Sequence, residues 1–122
     1  MNNKVEKFED LTIWQESVGL AVDVYRILKN CRDYGLRDQI QRSAVSIPSN
    51  IAEGFDRKSN NEFLRFLKIS KGSCAELRTQ LIIARQIGLL RKEENPIETT
   101  KILSAKIQKM ITYREKRRQE ER

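Results

Sequence analysis

Two short stretches carry the residue types that can do chemistry. RSAVSIPSNIAEG at residues 42–54 and KGSCAEL at residues 71–77 place small polar residues beside acids and a glycine. Such stretches can form a catalytic loop, a phosphate-binding loop or a tightly packed helix. The chain contains no histidine, which removes the commonest general base and the commonest neutral metal ligand. Gly72 is a lone glycine inside a helical pattern, unlike a glycine-rich phosphate loop. We therefore expect no enzyme activity, no cofactor and no metal.

Composition favours a helical protein with one domain. The chain has 122 residues, of which 39% are hydrophobic and 34% are charged, with only 5 Gly and 2 Pro. This balance is typical of long amphipathic helices. Cys31 and Cys74 have no metal-type spacing, so we expect both to be buried as small apolar side chains. We expect no signal peptide, no membrane contact and a cytoplasmic location, because no apolar run approaches the length of a membrane span.

Apolar spacing of three and four residues predicts four helices. They cover about residues 10–30, 36–54, 59–88 and 95–113. Asp10, Ser59 and Asn95 are candidate N-caps, with Pro96 at the first helical position of the last helix. The charged segment 114–122 has no apolar residue, so we expect it to fray. Helices of this length with short connections predict an all-α, antiparallel up-down-up-down bundle that forms one domain over residues 1–122.

The second predicted helix contains a proline. Apolar residues recur at steps of three and four from Leu36 to Phe55 and pass through Pro48 without a change of phase. A proline inside an isolated helix costs about 3 kcal/mol, yet a loop would interrupt the pattern. We therefore predict one continuous helix that is kinked near Pro48, with packing offsetting the cost. A serine hydroxyl is expected to satisfy the carbonyl that the proline leaves without a donor.

A polar stripe accompanies the apolar face of that helix, formed by Arg42, Ser46, Ser49 and Glu53, with Asn50 at its border. It can be an ordinary solvated face or a tight interface with another helix or subunit. Serines in place of lysines favour the interface. The charged ends of the stripe lie about 16 Å apart along the helix, so each needs a partner on another helix or subunit.

The third helix has a similar turn. Gly72, Ser73 and Ala75 are small, and Glu76 follows them. Glycine inside a helix costs about 1 kcal/mol relative to alanine, and close approach of another helix would explain it. Close packing without further function is the alternative. The apolar stripe of this helix is widened by Phe66, Ile69, Ile83 and Ile87, so we expect it to contact more than one neighbour.

The positive charge is concentrated near the C-terminus. Residues 101–122 hold eight basic and three acidic side chains, a surplus of five in a net charge of +7. Such a surface attracts phosphate backbones or acidic proteins. The candidate nucleic-acid contacts are Lys109, Arg114, Lys116, Arg117 and Arg118. Because Tyr113 is the only aromatic residue there, we do not expect sequence-specific reading of single strands.

These stretches also carry a resemblance. FEDLTIWQES at Phe8–Ser17 and LRDQIQRSAVSIPSNIAEGFDRKSNNEFLRFLKISKGSCAELRTQL at Leu36–Leu81 resemble the bacterial four-helix-bundle family encoded in ribosomal RNA intervening sequences. Its members are often labelled a ribosomal protein. The residues that match its signature are Arg42, Ser46, Pro48, Asn50, Glu53, Gly54, Gly72, Ser73 and Glu76.

The resemblance implies a four-helix bundle that assembles as a ring-shaped homopentamer and has no catalytic residues. It also implies kinship with the accessory variability protein of diversity-generating retroelements, a basic pentamer that binds nucleic acid and a reverse transcriptase. Together with the charge, it favours a non-enzymatic homo-oligomer that binds RNA or another nucleic acid. The alternative is a scaffold or accessory subunit for a polymerase or ribosome-associated partner, without direct binding of nucleic acid.

Overall fold

Four α-helices account for most of the structure, a computed structural model that describes residues 5–91 and 93–120. A short 3₁₀ helix at Phe8–Asp10 precedes α1 (Thr12–Ile27), α2 (Tyr34–Asp56), α3 (Asn60–Gln86) and α4 (Pro96–Glu120). Each helix packs on its two neighbours, with α1 against α2 and α4, and α3 against α2 and α4. Strands are absent from the described ranges. The predicted all-α four-helix bundle is confirmed.

Local sequence signals set where three of the helices begin. Ser59 and Asn95 each accept a hydrogen bond from the backbone N–H three residues further on, at 3.3 Å in both cases. Both predicted N-caps are therefore present. Asp33 makes the same bond at the start of α2, at 3.1 Å. The predicted cap at Asp10 is wrong, because that residue lies in the 3₁₀ helix and α1 begins after Leu11 without a side-chain cap.

The C-terminal helix runs further than the sequence suggested. We expected fraying from about residue 114, whereas α4 stays helical to Glu120. The Arg114 guanidinium lies over the Phe63 ring at 4.8 Å, and Asn60 Nδ2 donates to the Arg114 carbonyl at 3.0 Å. The charged segment has no apolar residue, and these contacts hold its first residue against α3. Apolar spacing in the sequence does not reveal such contacts. Residues 121 and 122 lie outside the described ranges.

The core is built from the predicted apolar stripes. Its largest fully buried side chains are Leu20, Val24, Leu28, Ile40, Ile47, Ile51, Leu64, Leu67, Leu77, Leu81, Leu103 and Ile107. Cys74 is buried as predicted, whereas Cys31 is partly exposed. None of the helices in residues 5–91 and 93–120 combines the length and apolarity needed to cross a membrane.

The proline lies inside an unbroken helix. Pro48 is buried within α2, which continues on both sides of it. Ser70 Oγ of α3, itself fully buried, donates to the carbonyl of Ile47 at 3.0 Å. This bond joins α3 to α2 beside the proline. The carbonyl that Pro48 leaves without its helical donor is that of Ala44, so the predicted serine bond to that carbonyl stays a prediction. Continuity through Pro48 agrees with the prediction, and the kink stays a prediction.

Gly54 marks the closest approach of α2 to α3. A Cβ atom built on Gly54 would lie 2.4 Å from the Cβ of Phe66, a separation that side-chain carbons do not tolerate. Only a glycine fits at this point without moving one helix. By contrast, a Cβ on Gly72 of α3 would have nothing within 4 Å in the chain. Within the chain, close approach of a helix thus occurs at Gly54 and not at Gly72, and an approach to Gly72 by another copy stays a prediction.

The two glycines provide a matched test of this packing. Gly54→Ala should lower the free energy of unfolding by about 1–3 kcal/mol, because overpacking outweighs the gain in helix propensity. Gly72→Ala should raise it by about 0.5–1 kcal/mol, since it adds propensity in open space. Urea denaturation at one protein concentration measures both. Equal effects of the two substitutions would contradict the close approach.

Candidate functional site

Small polar residues of α2 and α3 meet along one side of the bundle. The hydroxyls of Ser46 and Ser73 share a hydrogen bond of 2.8 Å. Ser43 Oγ donates to Glu76 Oε1 at 3.1 Å, and Asn50 Nδ2 donates to Ser46 Oγ at 3.0 Å. We call these five residues the α2–α3 seam. The seam joins two helices of one chain, so Ser46 of the predicted stripe and Asn50 at its border are used in folding the subunit.

Other members of the predicted stripe do not join the seam. Arg42 and Ser49 are exposed. Glu53 pairs with Arg57, one turn further along the same segment, at 3.1 Å. The expectation that Glu53 needs a partner on another helix or subunit is therefore wrong, because the chain supplies a cation at the i+4 spacing. Arg42 lines an open groove of about 340 Å³ beside Glu76.

Sequence reasoning missed two serines that hold α2 against α3. Ser43 is buried next to the stripe, and its bond to Glu76 crosses between the helices. Ser70 occupies a position in the apolar repeat of α3. A polar residue at a core position was the available signal, because a buried hydroxyl requires a hydrogen-bond partner.

The predicted nucleic-acid residues separate into two groups. Lys109 and Lys116 are exposed on the outer side of α4, and Arg118 is half-buried. Arg114 is turned inward, with its guanidinium over Phe63 and Nη1 donating to Asn60 Oδ1 at 3.3 Å. Part of the basic tail thus anchors α4 to α3, and part of it faces solvent.

One end of the bundle holds a groove of about 690 Å³, which we call the basic groove. Three cations line it, namely Lys58 from the turn between α2 and α3, and Arg114 and Arg117 from α4. The groove is also lined by three aromatic residues, Phe55, Phe63 and Tyr113. Glu6 is the one acid among its described lining residues. The sequence did not reveal this site, because its parts come from segments that are far apart in the chain.

The shifted pKa values of Cys74 and Glu62 have structural causes. Burial raises the pKa of the Cys74 thiol, which donates to the carbonyl of Thr100 at 3.2 Å, so this cysteine is not an activated nucleophile. A hydrogen bond from Arg65 lowers the pKa of Glu62. Within residues 5–91 and 93–120, no group of three or more His, Cys, Asp or Glu side chains is placed to hold a metal ion.

These features define a four-helix bundle in which polar residues of α2 bind those of α3 and a groove at one end is lined by three cations. The family model of the 23S rRNA-intervening sequence protein matches residues 9–113. The chain therefore belongs to the 23S rRNA-intervening sequence protein family, in agreement with the resemblance seen in the sequence.

A solved structure shows the same fold. It is the crystal structure of a protein of unknown function from the S23 ribosomal protein family of Bacteroides thetaiotaomicron. It is 24% identical to this chain, with a TM-score of 0.68, and the match covers 82% of this chain and 94% of that one. A comparison with curated proteins found no match.

Ser70 provides a test of how the proline-bearing helix is held. Ser70→Ala should lower the free energy of unfolding by about 0.5–1.5 kcal/mol, because it removes the buried hydrogen bond between α3 and the Ile47 carbonyl of α2. The control is Ser49→Ala, which changes an exposed serine of α2 and should alter stability by less than about 0.5 kcal/mol. Chemical denaturation followed by circular dichroism measures both variants. A Ser70 variant as stable as the control would show that the bond contributes nothing.

Proposed function

We propose that the protein is a non-enzymatic homo-oligomer that binds RNA through the basic end of its bundle. The observation that carries the proposal is the gathering of cations from separate segments at that end. Lys58 comes from the α2–α3 turn, Arg114 and Arg117 come from α4, and Lys116 lies on the same last turns of α4. A cluster of this kind attracts a polyanion because the fields of its charges add.

The opposite end of the bundle supports the proposal by contrast. A groove of about 440 Å³ there is lined by three carboxylates, Asp23, Glu93 and Glu94, together with Arg26. The two grooves therefore differ in the sign of the charge on their lining residues. A polyanion is attracted more strongly by the basic groove than by this one.

Self-association is supported by an apolar flank at the end of α3, formed by Ile83 and Ile87. Their side chains are exposed to 46% and 57%, and a spacing of four residues places them on one side of the helix. Neighbouring exposed apolar side chains are candidates for contact with another surface. A ring of five copies, the number implied by the family resemblance, would carry a charge of about +35, which strengthens the attraction for RNA.

The same flank of α3 supports a second candidate function, the binding of a client protein. If the isoleucines of α3 bind a client protein, such as a polymerase or ribosome-associated factor, the bundle is a scaffold and its charge serves another purpose. The two functions differ in which surface is needed for binding. Changes to the α4 lysines and to the α3 isoleucines therefore separate them.

The RNA proposal predicts an effect of charge removal that depends on location. Lys109→Gln with Lys116→Gln should weaken binding of structured RNA and reduce the slope of log affinity against log salt by about 1–2, since each phosphate contact contributes just under one unit. Lys29→Gln with Arg32→Gln removes two charges near the acid-lined end and should change the slope much less. Filter binding at several salt concentrations measures all three proteins. Undetectable RNA binding at low salt would refute the proposal.

If copies of the chain meet through the α3 isoleucines, charged residues at these positions should reduce the mass of the particle in solution. Ile83→Asp with Ile87→Asp should dissociate the oligomer, because it places two carboxylates in the proposed apolar contact. Helix content should remain, since neither side chain belongs to the core. Val22→Asp alters a residue of α1 that is 60% exposed and is the control. Sedimentation velocity beside circular dichroism gives the answer, and an unchanged mass in the double variant would count against the α3 contact.

A further inference from the structure

The basic groove combines two features that single-stranded nucleic acid requires together. Its cations are suited to phosphates, and its aromatic side chains are suited to the faces of unpaired bases. Tyr113 exposes 59% of its surface at the rim. Phe55 is partly buried beside it, with its ring set edge-on to that of Phe63 at 5.5 Å. The sequence showed only Tyr113 near the basic tail, and the fold adds the aromatic residues of α2 and α3.

The turn residue Lys58 has an unusual backbone conformation. Its φ is +57°, which makes it the one non-glycine residue with positive φ among the described residues. Glycine is the favoured residue at this position, directly after a helix end. The chain instead has a lysine there, and its ammonium group lies 5.6 Å from the centroid of the Phe55 ring. A backbone outlier that presents a cation beside an aromatic residue points to a use for that side chain.

The lining of the groove favours a single strand over a duplex. Its volume of about 690 Å³ lies within the range of small-molecule sites, so it can hold about one or two nucleotides. In a duplex, moreover, each base face is covered by its neighbours, and only an unpaired base offers a face to an aromatic side chain.

An acidic peptide is a weaker fit to the same surface. Its carboxylates would pair with the cations, but acidic side chains have no flat π surface that could stack on Tyr113 or Phe55. The aromatic lining therefore favours nucleic acid over acidic protein. We propose that the basic groove binds a single-stranded RNA segment, with one base stacked on Tyr113 and an adjacent phosphate bound by Lys58. This inference rests on the proposed RNA-binding function and assigns it a position and a strand type.

A short single-stranded RNA of about eight nucleotides containing 2-aminopurine tests the stacking. The 122-residue chain should quench the fluorescence of the reporter base when it binds. Tyr113→Ala should weaken binding about tenfold and abolish the quenching, whereas Tyr113→Phe should retain both. Tyr34→Ala is the matched control, because Tyr34 is also 59% exposed but begins α2 at the other end of the bundle.

Lys58→Gly separates function from stability. It removes an unfavourable backbone conformation, so the urea midpoint should rise. It also removes the proposed phosphate ligand, so the affinity for the same RNA should fall. A higher urea midpoint together with a lower RNA affinity supports the assignment of Lys58 as a phosphate ligand. A variant that binds RNA as tightly as the parent chain would show that Lys58 has no role in binding.

Three results would overturn the inference, and they differ from a failure of RNA binding itself. Salt-dependent RNA binding that Tyr113→Ala and Lys58→Gly leave unchanged would place the RNA elsewhere on the basic end. Equal affinity for a duplex of the same length would refute the stacking. Displacement of the RNA by poly-glutamate at equal charge concentration would show recognition of charge alone. If no RNA binds at low salt, the proposed function and this inference both fail.

Discussion

The structure depends on how closely α2 approaches α3. At Gly54 the helices are so near that a single added carbon would collide with Phe66. Further along, Ser46 and Ser73 are joined directly through their hydroxyls. Both contacts require residues with little or no side chain, which explains why this part of the chain is rich in serine and glycine. Of the three structures that this composition allowed, a catalytic loop, a phosphate-binding loop or a tightly packed helix, the chain forms the tightly packed helix.

The buried proline lies on the same packed face. Pro48 has no N–H and cannot donate to the carbonyl of Ala44 in the preceding turn. Because α3 lies close by, Ser70 donates to the carbonyl of Ile47 and ties α2 to α3 directly beside the proline. Burial of the rigid proline ring in this face adds apolar contact that offsets part of its cost. Two consecutive helices held in this way form a hairpin on which α1 and α4 pack.

Sequence reasoning recovered the elements of the fold better than their contacts. Apolar spacing and capping residues revealed the four helices, because both signals are local to a helix. The pair formed by Glu53 and Arg57 was also readable from its spacing of four residues, although the stripe containing Glu53 was interpreted as facing another segment. Stacking of Arg114 on Phe63 was not readable, since it depends on the register between α3 and α4. The basic groove was hidden for the same reason.

The two proposed surfaces are compatible because they lie in different parts of the bundle. Ile83 and Ile87 lie about 35 and 41 Å along the axis of α3 from its first residue, which follows the turn that carries Lys58. Contacts between copies through these isoleucines would leave the basic groove open. In a closed cyclic assembly every groove has symmetry-related equivalents. A single RNA strand that reaches more than one of them gains affinity through the high local concentration of the second site. A weak groove on each subunit is therefore sufficient for strong binding by the ring, which is a physical reason for a small RNA-binding bundle to assemble.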